Sequence, residues 1–279
     1  MEKKTKTIII ILTAVVVLTA IISAVSNHVK KSDTAAKMNN YYTLSEFLWT
    51  DDFNEFYKDS YDWYKSIENE NGVYLANTDY YSNEILQVWK ENKIYDSVPD
   101  KAFWYYTVSP SYLKQMQINL SEENLKAAIN GTRLYLIPDT FTQNEIEQFS
   151  AYIKEDALKN AQTSTIKTTF TDKQEIKLIS YTPSGSYFTF PSEKGQSVTA
   201  KEPIIYVCTS ANMKFYESES LIATGVDSYI KFEDKDIMKS CTNKDELKQY
   251  HLQFKKLSTI YKNAAKADLV DKNIDKSFE

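Results

Sequence analysis

The side chains best suited to chemistry are few and scattered. Two histidines occur, His28 and His251, which supply no multi-histidine zinc set and stand in no nucleophile motif; G-x-S-x-G is absent. Carboxylate pairs such as Glu122-Glu123 and Glu233-Asp234 lie in polar surroundings and read as solvated surface rather than as the two carboxylates of a glycosidase cleft. The stretch EDKDIMKSCTNKDE is acidic but lacks the glycine and the ligand spacing of a calcium loop. With 5 glycines in 279 residues there is little from which to build a phosphate-cradling loop. Cys208, inside the apolar run PIIYVCT, reads as a small buried hydrophobe, and a single bridge to Cys241 is the alternative. These residues give no catalytic, cofactor-binding or metal-ligating set, and no cofactor is expected.

What the chain does carry is an apolar run. Ile8 to Val25, IIIILTAVVVLTAIISAV, has no charge and, at about 1.5 Å per residue, covers most of a hydrocarbon core that needs ~20 residues. Ile8, Leu12, Val16, Ile21 and Val25 sample its length as a membrane anchor. Its length favours an uncleaved anchor over a signal peptide's apolar region of ~7–15 residues, although Ala24-Val25-Ser26 offers a cleavage site. Lys3, Lys4 and Lys6 place the N-terminus inside, and a large polar domain behind such a segment is normally translocated. The formal net charge is −5, and the region beyond the N-terminal lysines is more acidic still, so nucleic acid is excluded as a partner. Arg133 stands alone among 33 basic residues, a usage typical of AT-rich, low-GC Gram-positive genomes.

The remaining elements alternate. Residues 1–7 form a cytoplasmic end, 8–26 the anchor, 27–42 a polar tether, 43–267 an extracellular α+β domain and 268–279 a polar tail. Thr43 with Glu46 has capping-box spacing and predicts helix over 44–69, with Phe53, Phe56, Tyr57, Tyr64 and Ile67 on one face. VYLANT, FWYYTV, RLYLIP, PIIYVCT and SYIKF predict strands, PIIYVCT a central one buried on both faces and FWYYTV a strand with aromatics on both sides. Helices follow over 80–94, from Ser121 to Ile129 with Asn130-Gly131 as its stop, and after the Thr142/Glu145 capping box. Period-two patterning in TIKTTF, EIKLISYT and SYFTFP predicts an antiparallel meander. From Thr242 onward, Leu247, Tyr250, Phe254, Leu257 and Tyr261 recur at steps of three and four, predicting a long C-terminal helix. Its seam either packs on the domain's own sheet or pairs with a partner helix.

Val108, Ser109, Pro110, Tyr112, Leu113 and Ile118 form a V-S-P-x-Y-L pattern followed by an apolar residue, and residues 131–149 supply a second strand and helix in the same order. This segment resembles the extracytoplasmic domains of FtsX/MacB-like permeases. Over most of residues 1–260 the chain is similar to the bacteriocin-associated integral membrane proteins, immunity proteins of Gram-positive bacteria. The resemblance implies a MacB-like mixed α/β domain outside the cell, a cytoplasmic ABC ATPase on a separate subunit, other permease segments on another chain, and a bacteriocin or other peptide as partner. Two features depart from it: NLSEEN replaces the Gly-Arg that often follows the pattern, and no C-terminal membrane bundle follows the domain, so a truncated or split permease is expected. The alternative is a stand-alone anchored protein that binds a bacteriocin or cell-wall component.

The topology is directly testable. Protease added to intact protoplasts should digest the chain beyond Lys31 while leaving an anchored stub, because three lysines precede the apolar run. Protection of the domain, or release of a soluble product beginning near Asn27, would contradict it.

Overall fold

A computed structural model of the protein describes residues 40–48, 52–159, 175–191, 197–243 and 245–262. The chain divides into two compact units, 1–40 and 41–279, and the description below concerns the second. The expected anchor, Ile8 to Val25, lies outside the described residues. Among the described residues no helix is long and apolar enough to cross a membrane.

The fold is mixed α/β around a large, mostly antiparallel sheet. Its strands are β1 (Tyr42–Glu46), β2 (Val73–Tyr81), β3 (Phe103–Val108), β4 (Arg133–Pro138), β5 (Ile176–Tyr181), β8 (Ile204–Val207), β9 (Ile230–Phe232) and β10 (Gln253–Lys256). They lie in the order β10-β1-β9-β2-β3-β8-β4-β5, while β6 (Tyr187–Phe188) and β7 (Thr199–Ala200) form a separate pair. Only the β3/β8 and β4/β5 contacts are parallel. The helices are α1 (Phe53–Ile67), α2 (Asn83–Glu91), α3 (Pro110–Gln115), α4 (Glu122–Ile129), α5 (Gln143–Lys159), α6 (Phe215–Glu219), α7 (Lys235–Thr242) and α8 (Asp245–Lys248).

Strand alternation sorts side chains between two covered faces. Val73, Leu75, Phe103, Tyr105, Tyr135, Ile204 and Tyr206 join Phe56, Trp63, Tyr64 and Ile67 of α1 and Phe149 and Ile153 of α5 in one buried cluster. On the opposite face, Tyr112 of α3 packs edge-on against Tyr74 and beside Tyr41, and the Tyr106 hydroxyl donates to the Tyr187 carbonyl at 3.3 Å. Aromatics therefore fill both sides of β3. Trp104, half-buried, stacks on exposed Tyr80 at the rim. PIIYVCT is the central strand its uninterrupted apolar run requires, fully buried between β3 and β4. The helix starts at Ser121 and Thr142 also form: Ser121 Oγ accepts from Asn124 N at 3.2 Å, and Glu145 accepts from Thr142 N at 2.7 Å.

Three expectations are corrected. Thr43 to Glu46 is strand, not the start of a helix, because Thr43 and Tyr42 pair with β9 and Thr43 Oγ1 donates to the Ile230 carbonyl at 2.8 Å; α1 begins ten residues later, capped by Asp52, which accepts from Glu55 N at 3.0 Å. Among the described residues the antiparallel meander does not form either, since EIKLISYT and SYFTFP do not pair with each other. With α5 as the crossover, β5 returns parallel to β4, and β6 pairs with β7 instead; TIKTTF lies outside the described residues. Finally, the long C-terminal helix is broken. His251, at φ +46°, takes a left-handed conformation that no helix tolerates, and Gln253–Lys256 pairs antiparallel with β1.

The seam residues consequently belong to the core rather than to an exposed helix face. Leu247 is 2% exposed, Tyr250 4% and Leu257 0%, while Phe254 is half-buried against Trp63 and Phe232 and Tyr261 is half-buried. Replacing Phe254 and Leu257 together by Ser should cost about 4–8 kcal/mol, and Ile205→Asp should abolish the cooperative transition, since it buries an unpaired charge. Urea unfolding of the full chain measures both; a double variant within about 1 kcal/mol of the parent would show that Phe254 and Leu257 are not packed in the core.

Candidate functional site

The site begins where two parallel neighbours part company. Strands β3 and β8 lie side by side in the same direction. The chain leaves β3 onto the face where Tyr112 packs, and leaves β8 onto the face of α1, where Met213 and Leu221 enter the main cluster. Adjacent parallel strands whose connections go to opposite faces open a crevice beyond their carboxyl ends, the usual place for a ligand in an α/β sheet. A cleft of about 570 Å³ lies there. Its walls are the end of α1 and the turn to β2 (Tyr64 to Gly72), the β3/α3 junction (Ser109 to Ser111, with Lys114 and Gln115), Leu125 and Ile129 of α4, and Thr209 to Ala211 after β8.

Each wall is fixed by local chemistry. Ser109 caps α3: its Oγ accepts from Tyr112 N at 3.3 Å and from Leu75 N at 3.1 Å. Pro110 takes the first helical position, where its missing N–H costs nothing. Ser111 Oγ donates to the Val73 carbonyl at 3.0 Å. Across the cleft, Glu68 at the end of α1 grips Ser210 with both oxygens, from the backbone N at 2.9 Å and from Oγ at 2.6 Å, while the Tyr61 hydroxyl donates to the Ser210 carbonyl at 2.7 Å. Gly72 makes the tight turn at φ +78°; a Cβ there would clash with Ile237 Cδ1.

Below the β8 wall lies a buried polar network that sequence reading missed. Arg133 and Glu217 form a two-pronged ion pair, Nη2 to Oε1 at 2.7 Å and Nη1 to Oε2 at 3.1 Å, with side chains 0% and 1% exposed. Burial opposes the arginine's charge, but facing Glu217 keeps it well above the ordinary value; burial likewise opposes ionisation of Glu217, and Arg133 overrides it, so the carboxyl sits below the ordinary value. The Arg133 guanidinium also donates to the Tyr206 hydroxyl and to the Asn212 carbonyl, both at 2.8 Å. Asn212 in turn holds the loop: its Nδ2 donates to the Thr132 and Val207 carbonyls, each at 2.9 Å, and its Oδ1 accepts from Thr209 N at 2.8 Å. One signal was available: the sole arginine of the chain stands at the start of an apolar strand.

Of the cleft hydroxyls, Ser109 caps α3, Ser111 and Thr209 donate to backbone carbonyls, and Ser210 donates to the Glu68 carboxylate; the Tyr74 hydroxyl donates to Glu233 at 2.8 Å, and burial first and that bond second hold the tyrosine well above its usual range. The other chemistry-bearing residues lie apart. Glu122 and Glu123 pair with Lys126 and Lys177 on the surface, Asp234 caps α7, His251 is exposed, and Cys208 and Cys241 are buried with no disulfide between them. Among the described residues no three His, Cys, Asp or Glu side chains cluster as metal ligands. The chain matches no family profile, no curated protein and no solved structure.

Away from the cleft, buried Lys231 donates to the carbonyls of Val226, at 3.2 Å, and Ser228, beneath the Phe190 ring. Burial lowers its ammonium from the ordinary 10.5 to about 7, with Asp227 acting in the other direction. The unfolded chain keeps that proton up to the ordinary lysine value, so stability is least below pH 7 and rises as pH climbs from about 7 towards 10, at up to about 1.4 kcal/mol per pH unit. Lys231→Met should flatten this rise in urea titrations across pH 6–10; equal slopes in the two proteins would show that Lys231 keeps its charge when folded.

Proposed function

We propose that the chain is the extracytoplasmic domain and first membrane span of an FtsX/MacB-like ABC-transporter permease linked to bacteriocin export or immunity, with the ATPase on a separate cytoplasmic subunit and the remaining permease segments on another chain. The anchor holds the domain at the outer surface of the cell membrane, and the domain works by binding.

The observation that carries this reading is that each residue of the matched pattern has a separate structural task around the β3/α3 junction, where Ser109 and Pro110 line the cleft. Val108 ends β3 in the core, Ser109 caps α3, Pro110 starts it, and Tyr112 and Leu113 bury its inner face. Ile118 is also buried, its N–H closing the end of α3 on the Leu113 carbonyl at 3.0 Å. A pattern with a task at every position is a specification for one local structure. The second matched stretch, 131–149, contains β4 and the first half of α5, on the other side of β8.

A second reading, a stand-alone anchored binding protein for a bacteriocin or cell-wall component, is favoured by the burial of Leu247, Tyr250 and Leu257, which leaves that seam no free face for a partner helix. Purification of the tagged full chain from membranes of its own host separates the two. The permease reading predicts stoichiometric recovery of an ATP-binding subunit and a multi-span membrane protein. Recovery of the chain alone, under conditions that keep other transporters assembled, contradicts it and leaves the stand-alone binder.

A further inference from the structure

The residues around the cleft specify a class of ligand, on the reading of the domain as a binding module. We propose that the cleft between the α1 end and the β3/α3 junction takes a short polypeptide segment, holding one aliphatic side chain against Ile129 and Leu125 and meeting its peptide groups with the rim amides.

Size and place come first: about 570 Å³ lies within the ordinary ligand-pocket range and sits at the point where the connections switch faces. Charge comes second. Lys65 and Lys114 are balanced by Glu68 and Glu70, so the rim offers no excess of either sign and no basis for holding a phosphate-rich or polyanionic ligand. Third is the lining. The cleft's two aromatic residues, Tyr64 and Tyr74, are 1% and 4% exposed, so no ring face is presented for a sugar to stack upon, whereas Ile129 is 52% exposed and Leu125 half-buried. An aliphatic wall of this kind suits an aliphatic side chain.

Hydrogen bonding completes the argument. Asn69 and Asn71 are exposed at the rim, and neither side chain is bonded to another described residue. A side-chain amide carries a donor and an acceptor together, the same complement as a peptide group. Within the wall, the Tyr64 hydroxyl is buried and has no hydrogen-bond partner among the described residues, an orphan of the kind that ligand sites retain. Burial, and then the nearby Glu68 charge, hold it well above the ordinary tyrosine value, so it remains a donor at neutral pH.

The test is selection of a phage-displayed linear heptapeptide library on the full chain in lipid nanodiscs, with counter-selection on empty discs. Enriched sequences should share an aliphatic residue, and a synthetic winner should bind Ile129→Gln and Asn71→Ala at least about tenfold more weakly than the parent. Ile85→Gln, a change at an exposed aliphatic residue outside the cleft, should bind as the parent does. Circular dichroism melts confirm that the variants are folded, and Asn71→Ala keeps the test open if Ile129→Gln is not. Failure to enrich any sequence, equal binding by both cleft variants, or saturable binding of chitotriose that Ile129→Gln abolishes would each overturn the peptide assignment. None of these outcomes depends on recovery of an ATPase, so this inference and the permease reading fail separately.

Discussion

A fully buried arginine is the constraint around which this domain is arranged. Removing a guanidinium from water costs several kcal/mol, and the cost is met here because Glu217 faces it with both oxygens, the Tyr206 hydroxyl and Asn212 carbonyl accept from Nη1, and the Tyr135 hydroxyl of β4 accepts from Nε. The guanidinium also lies 4.0 Å from the centre of the Tyr206 ring. All of these partners but Tyr135 come from β8, from the loop behind it and from α6, so satisfying one charge fixes the path of the chain over residues 206–217. Lys214, also buried, continues the network to Asp156 of α5 at 3.0 Å, and the Tyr95 hydroxyl reaches the same carboxylate at 2.9 Å. Such a network specifies one arrangement of loop and helix, because each partial arrangement leaves a buried charge or amide unpaired.

The cleft inherits its shape from that arrangement. Thr209 and Ser210 stand on the loop that Asn212 and Arg133 hold, and Thr209 Oγ1 donates to the Ala128 carbonyl at 3.0 Å, joining the β8 wall to α4 beside Ile129. Glu68 secures the same loop from α1. The opposite rim is fixed independently by Ser109 and Ser111, whose hydroxyls bond to each other at 2.8 Å and to β2. The result is a pocket whose walls are fixed by hydrogen bonds from both sides, with the side chains of Asn69 and Asn71 exposed at its mouth.

Much of the sheet was legible because burial leaves a strong local mark. PIIYVCT has no polar interruption and proved central; RLYLIP and FWYYTV, equally dense, lie on either side of it. Helix starts at Ser121 and Thr142 were legible because caps are local chemistry. What failed was decided at long range. Thr43 and Glu46 have the spacing of a capping box, but β9 and β10 supply backbone partners from about two hundred residues away. The three-and-four rhythm of Leu247, Tyr250, Phe254 and Leu257 reflects burial, yet it is produced by a short helix, a left-handed turn at His251 and a strand in succession. Strand direction was equally invisible: EIKLISYT reads as strand whether its neighbour runs parallel or antiparallel. The cleft was not legible. V-S-P-x-Y-L stood out as a resemblance and not as the edge of a pocket, and the β8 wall and the Arg133 network needed the fold to bring 133, 156, 206, 212 and 217 together.

The Arg133–Glu217 pair sets the chain path behind β8 and thereby the cleft. The measurement that tests it most directly is a double-mutant cycle by urea unfolding with Arg133→Met, Glu217→Leu and both. Each single change strands a buried charge and is expected to cost about 3–5 kcal/mol, while the double variant, with the charge removed from both sides, should recover a large part of that loss. Single variants within about 1 kcal/mol of the parent, with effects that simply add in the double, would contradict the account, since the two side chains would then neither bear on stability nor depend on one another.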